Sequence, residues 1–123
     1  MNHIIQQYLD GLESGNPEKI LQLFSDDAII HSPLYGDSLA KAFFKRLFSD
    51  TYQSEITLLN IFNSLDKPDL YAAHFRYQWI LKSGAITLFE CIDVFQFNEQ
   101  GKIKEMTIIY DTHNSRTMFE SLS

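Results

Sequence analysis

Thr87-Leu88-Phe89-Glu90-Cys91-Ile92-Asp93-Val94-Phe95-Gln96-Phe97 decides the fold. Successive side chains of an extended chain point to opposite faces, so Thr87, Phe89, Cys91, Asp93, Phe95 and Phe97 share one side. That side is apolar apart from a single carboxylate, the pattern of a strand from Ile86 to Phe97 with one face on a core. The chain turns on both sides of it. Upstream, Ser83-Gly84 marks a hairpin into a strand from Leu70 to Lys82. There Tyr71, Ala73, Phe75, Tyr77, Trp79 and Leu81 fall on one face and Leu70, Ala72, His74, Arg76, Gln78 and Ile80 on the other. Downstream, Asn98-Glu99-Gln100-Gly101 is a tight turn into a last strand, Lys102 to Asp111, followed by a short amphipathic tail with Met118, Phe119 and Leu122. Ahead of the meander, Asp66-Lys67-Pro68-Asp69 is a turn, and Ile56, Leu58, Asn60/Ile61 and Phe62 alternate imperfectly as another strand.

The N-terminal part has a different period. Ile4, Ile5, Tyr8, Leu9 and Leu12 recur at helical spacing, and Gly15 is placed to end that helix. Asn16-Pro17 restarts the chain with a capping side chain and a proline at the first helical position; Ile20, Leu21 and Phe24 give the second helix its apolar stripe. Ala28-Ile29-Ile30-His31-Ser32 reads as a short strand ended by Pro33, and Leu34 to Asp37 as a turn. Ser38 is placed to cap a third helix carrying Ala40, Phe43, Phe44, Leu47 and Phe48. Helices followed by an antiparallel meander give the α+β class, with helices on one sheet face. The long strands are apolar on both faces, and large exposed apolar patches are rare in monomers, so the outer face predicts a homodimer.

The 123 residues form one domain, 1–123, with no repeat or linker. Ten Phe and six Tyr are many for this length, and aromatics serve both cores and ligand pockets. A net charge of −6 without a Lys/Arg stripe argues against nucleic acid; Lys41, Lys45 and Arg46 read as the wet side of one helix. No apolar run is long enough to span a membrane, and the N-terminal residues lack the pattern of a signal peptide. Cys91 is the only cysteine, so no internal disulfide can form, consistent with a reducing cytoplasm. His31, His74 and His113 lack metal-site spacing, and neither a Gly-rich phosphate loop nor a nucleophile elbow occurs, so no cofactor or metal is expected.

Asp93 is the residue with the most pointed chemistry. A carboxylate flanked by aromatics either pairs or takes up a proton, because burying an unpaired charge is very costly. Protonated, it is a hydrogen-bond donor able to hold a developing oxyanion; alternatively it pins a Tyr or a backbone group. Tyr8, on the apolar stripe of the first helix, reads as core packing with a satisfied hydroxyl, and Ser32 beside Pro33 as a turn hydroxyl.

Two blocks carry a family resemblance. Ile4-Ile5-Gln6-Gln7-Tyr8-Leu9-Asp10-Gly11-Leu12, Gly15-Asn16 and Leu23-Phe24-Ser25-Asp26-Asp27-Ala28 form the first; Cys91-Ile92-Asp93-Val94-Phe95-Gln96-Phe97-Asn98 with Gly101-Lys102-Ile103 forms the second. Together they resemble the ketosteroid isomerase and SnoaL-like families of the nuclear transport factor two-like superfamily, over nearly the whole chain. The resemblance implies a cystatin-like α+β cone, with three N-terminal helices packed on a strongly curved antiparallel sheet enclosing an apolar pocket. It matches Tyr8 and Asp93 to the tyrosine and protonated aspartate of the isomerase oxyanion hole, a worked example of a carboxylic acid kept neutral near pH 7. The isomerases carry their basic aspartate just before the proline of the first strand, and here that position is Ser32. The electrophilic half of the site is therefore expected without its base. SnoaL-like cyclases use a carboxylate late in the domain, to which Asp111 is similar, while His31 would need a bulge to face inward and His74 is a further candidate. Phe44 and Tyr110 match pocket-wall positions, and Phe89, Phe95 and Trp79 are expected to join them, although the pocket-facing side of strand 70–82 stays open. Three functions follow: an isomerase- or cyclase-like enzyme polarising a carbonyl with Tyr8 and Asp93, a non-catalytic module binding a small apolar molecule, or an interaction protein using the outer sheet face.

Overall fold

A computed structural model describes residues 1–111; His113 and the tail residues Met118, Phe119 and Leu122, expected as an amphipathic segment, lie outside the described residues. The first helix, α1 (Asn2–Ser14), ends where Gly15 takes a left-handed φ of 66° and its N–H closes back on Gly11 and Leu12. That conformation is strained for any residue with a Cβ, so the glycine is required there. Asn16 then caps α2 (Pro17–Leu21), its side chain accepting the Lys19 N–H at 3.2 Å. The helix is shorter than its apolar stripe suggests. Phe24 already belongs to the first strand, β1 (Phe24–Ser32), which begins four residues before Ala28. The expected Ser38 cap is also corrected. Ser38 pairs with Ile30 inside a short strand, β2 (Gly36–Leu39), and α3 (Ala40–Asp50) starts after Leu39 without a side-chain cap.

The meander follows as β3 (Thr51–Asn63), β4 (Leu70–Leu81), β5 (Ile86–Phe97) and β6 (Ile103–Ile109). β3 is thus five residues longer at its start than the alternation through Ile56 indicates. Among the described residues the six strands form one sheet in the order β2-β1-β6-β5-β4-β3. All neighbours are antiparallel except β1 and β6, which run parallel, with Ile30 opposite Met106. The sheet is therefore antiparallel for the most part, and it stays open, with β2 and β3 at its edges. Register shifts in β3 at Thr51/Gln53 and Leu58/Asn60, and between β5 and β6 at Gln96/Phe97, insert extra residues. Such bulges bend a strand and increase its twist, which curves the sheet around the helices.

The inner face of that curve is the core. Ile5, Tyr8, Leu9 and Leu12 of α1, with Ala40, Phe43, Phe44 and Leu47 of α3, are buried against it. From the sheet come Ala73, Phe75, Tyr77, Trp79 and Leu81 of β4, so its aromatic face points inward, and Thr87, Cys91, Asp93, Phe95 and Phe97 of β5. The β4 wall is fixed by two polar pins on β3. The Trp79 Nε1–H donates to Thr51 Oγ1 at 2.8 Å, and the Tyr77 and Ser54 hydroxyls share a bond of 2.8 Å. The outer face carries Ile86, Leu88, Ile92 and Ile109, each at least two-fifths exposed, crossed by a His74–Glu90 pair at 2.9 Å. No helix among the described residues is long and apolar enough to cross a membrane.

Candidate functional site

Between the helices and the inner sheet face lies a narrow cavity of about 40 Å³ with an open mouth. Eight of the fourteen described lining residues are aromatic, and Asp93 is the only one among these fourteen that carries a charge near neutral pH. The β5 alternation delivers it, because Asp93 points inward with Cys91 while Ile92 and Val94 turn away. One wall is a column of rings, with Tyr77 stacked on Phe89 at 5.2 Å and Phe89 on Tyr110 at 4.5 Å between centroids. Ile108, opposite Asp93 on β6, and Leu12, Phe43 and Leu47 from the helices close it further.

Asp93 is 1% exposed. Burial raises its pKa to about 7, a shift moderated by the Cys91 thiol, which donates to Oδ1 at 3.2 Å, and then by the Tyr8 hydroxyl. Desolvation penalises the charged form, and donors to the charged form only partly restore it. Tyr8 is driven well above the ordinary tyrosine value, first by burial and then by the Asp93 charge. Cys91 is raised by the same two causes in the same order, so its sulfur is a protonated donor rather than a nucleophile. Tyr8 and Cys91 thus stay protonated beside a carboxyl group that exchanges its proton near neutrality.

The signature of the SnoaL-like domain matches residues 5–106. The chain belongs to the SnoaL-like family. Solved structures share the fold at low identity. The epoxide hydrolase/cyclase-like enzyme SalBIII, of pyran ring formation in the polyether salinomycin, is 15% identical with a TM-score of 0.77, over 89% of both chains. PrhC from Penicillium brasilianum is 11% identical with a TM-score of 0.80, over 98% of this chain and 85% of its own. A ketosteroid isomerase-like protein from Catenulispora acidiphila, solved in complex with trimethylamine, is 12% identical with a TM-score of 0.75, over 88% of this chain and 85% of its own.

Within this SnoaL-like domain the expected residues divide. Tyr8, Asp93, Ser32, Trp79, Phe89 and Tyr110 all line the cavity. Phe44 and Phe95 do not. They are buried beneath it, meeting the Tyr8 ring edge-on at 6.1 and 5.3 Å, so they set the position of Tyr8 rather than the wall. Ser32 serves the turn, its Oγ accepting the Leu34 and Tyr35 N–H groups at 3.2 and 3.1 Å. Asp111 is exposed, one residue beyond Tyr110, and is not part of the lining. His31 faces outward, with Nδ1 at 2.9 Å from Asp37 and Nε2 at 2.7 Å from Glu105, and His74 also lies on the outer side. Both carboxylates raise the His31 pKa, Glu105 more than Asp37. Tyr35 was not legible as a wall residue, because it reads as part of a turn. Its ring lines the cavity while its hydroxyl donates to Asp50 Oδ2 at 2.7 Å and Arg46 sits over it at 4.7 Å. Cys91 carried a signal that could have found it, standing two residues before Asp93 on the same strand face. Among the described residues no group of His, Cys, Asp and Glu gathers as a metal site.

Proposed function

We propose that this SnoaL-like protein binds a small, mostly apolar carbonyl compound, with the ligand oxygen held by the Tyr8 hydroxyl and protonated Asp93. The observation that carries this reading is the one carboxyl group in an aromatic cavity, with its pKa raised to about 7 and a protonated tyrosine beside it. An apolar cavity supplies affinity through buried area, and a few fixed donors supply orientation. Two donors at one oxygen also favour an enolate over its parent ketone, as an oxyanion hole does. Turnover additionally needs a group that moves a proton. Among the described lining residues only Asp93 titrates near neutral pH. The reading therefore favours a binding module over an isomerase. A cyclase-like enzyme would use Asp111 on a ligand atom at the mouth beside Tyr110.

A homodimer through the outer sheet face belongs to the same proposal, supported by the exposed Ile86, Leu88, Ile92 and Ile109. The ligand reading is tested by titrating the protein with a fluorescent naphthol, an enolate mimic, beside Tyr8→Phe and Asp93→Asn. Binding weakened about tenfold or more in both variants supports it, since hydrogen bonds to charged groups contribute about 1.5–3 kcal/mol. Binding indifferent to both changes would reduce the pair to packing and overturn it.

A further inference from the structure

We infer that the same cavity has a second ligand class: small lipophilic amines, bound as ammonium ions paired with ionised Asp93. The inference rests on the reading that the cavity admits small ligands, and it follows from a charge imbalance. Asp93 is faced by Tyr8 from α1, by Tyr77 from β4 and by Cys91 from its own strand, while β6 places Ile108 opposite and α3 contributes Phe43 and Leu47. None of these is a cation, and no Lys, Arg or His stands among the described lining residues. The Arg46 guanidinium lies over the Tyr35 ring rather than in the cavity lining. When Asp93 loses its proton the cavity therefore holds a buried negative charge with the Cys91 thiol and the Tyr8 hydroxyl as donors and no counter-ion among the described residues, a state that is costly until a cation joins it.

The walls suit such a cation. Eight aromatic residues line the cavity, and ring faces attract ammonium groups, most strongly where water is excluded. The alkyl or ring part of the amine would take the apolar remainder. Binding an already protonated amine to the neutral carboxyl form releases one proton to solvent and leaves an ion pair with no net charge. The two ligand classes consequently respond to pH in opposite directions. A carbonyl needs the protonated carboxyl as a donor and is favoured below the midpoint. An ammonium needs the carboxylate and is favoured above it.

Cyclohexylamine and cyclohexanone are matched in size, and the amine stays charged across the working range. Their affinities for the full chain are measured by calorimetry at about pH 5.5 and about pH 8.5, in wild type and in the isosteric Asp93→Asn, with circular dichroism confirming the fold of the variant. The expected result is an amine affinity that rises about tenfold or more from the lower to the higher pH, with net proton release at pH 7. Asp93→Asn should abolish both the rise and the release. Amine binding that is absent, or present but unchanged by pH and by Asp93→Asn, overturns the inference. If cyclohexanone then still binds, more tightly at the lower pH and with that pH dependence lost in Asp93→Asn, the carbonyl reading stands alone. If neither probe binds, both readings fail.

Discussion

At the scale of single residues, Asp93 is where the sequence conflicts with the interior it occupies. Its folded pKa of about 7 lies above the ordinary carboxylate value of 3.8. Between those values the folded protein binds more protons than the unfolded chain, so stability falls as pH rises through the window and levels off above it. Asp93→Asn removes this titration. The variant is expected to be more stable than wild type at pH 8, by an amount on the order of a few kcal/mol, and to lose most of that advantage near pH 4. Urea unfolding at both pH values measures it, and an identical pH slope in the two proteins would contradict the assignment. Tyr8→Phe is a milder change. It should cost about 1 kcal/mol or less in stability while weakening naphthol binding about tenfold, a split that pure packing does not produce. The inward direction of Asp93 was legible from alternation alone, and its pairing with Tyr8 came from the family resemblance. The turn role of Ser32 was legible too, since Ser beside Pro commonly bonds its own backbone. Tyr35 was not legible, because a turn residue's direction is set by the tertiary contacts that here fix its hydroxyl on Asp50.

At the scale of elements, local signals located what local physics determines. Gly15 ends α1 because only glycine takes a φ of 66° without strain; Gly15→Ala should cost about 1 kcal/mol, read as a lower urea midpoint with unchanged slope. Clean alternation gave β5 and β4 nearly to their ends. The strands that were missed or shortened are a very short one, one held by a remote parallel partner and one broken by bulges. β2 has four residues and exists by pairing with β1, which sets Ser38 opposite Ile30 rather than freeing it to cap α3. β1 extends to Phe24 because Phe24 is drawn to Ile103 of β6, a parallel pairing that no local pattern announces. β3 lost its period to two bulges. Its hold on the cavity wall can be tested at Thr51→Val, which removes the acceptor of the Trp79 N–H. A buried donor left unsatisfied costs about 1–3 kcal/mol, so the variant should unfold earlier in urea and show altered tryptophan fluorescence.

At the scale of the whole molecule, curvature links fold to function. Bulged strands wrap three helices, the wrapping leaves an aromatic cavity, and the β5 alternation places one carboxyl group inside it. The outer side of the same sheet presents apolar side chains, led by Leu88 at 70% exposure. A charge there should block a dimer formed through this face, so Leu88→Lys is expected to halve the mass seen by light scattering without changing naphthol affinity. A wild-type protein that is already monomeric at high concentration would contradict the dimer. The central claim concerns the cavity: Asp93 exchanges its proton there near physiological pH, its protonated form ready for a ligand oxygen. Its side-chain carboxyl carbon can be followed by NMR across the pH range, free and with saturating cyclohexanone. The account predicts a midpoint near 7 that moves higher when the carbonyl binds, because the ligand accepts from the protonated form. A midpoint in the ordinary carboxylate range, unmoved by ligand, would contradict it.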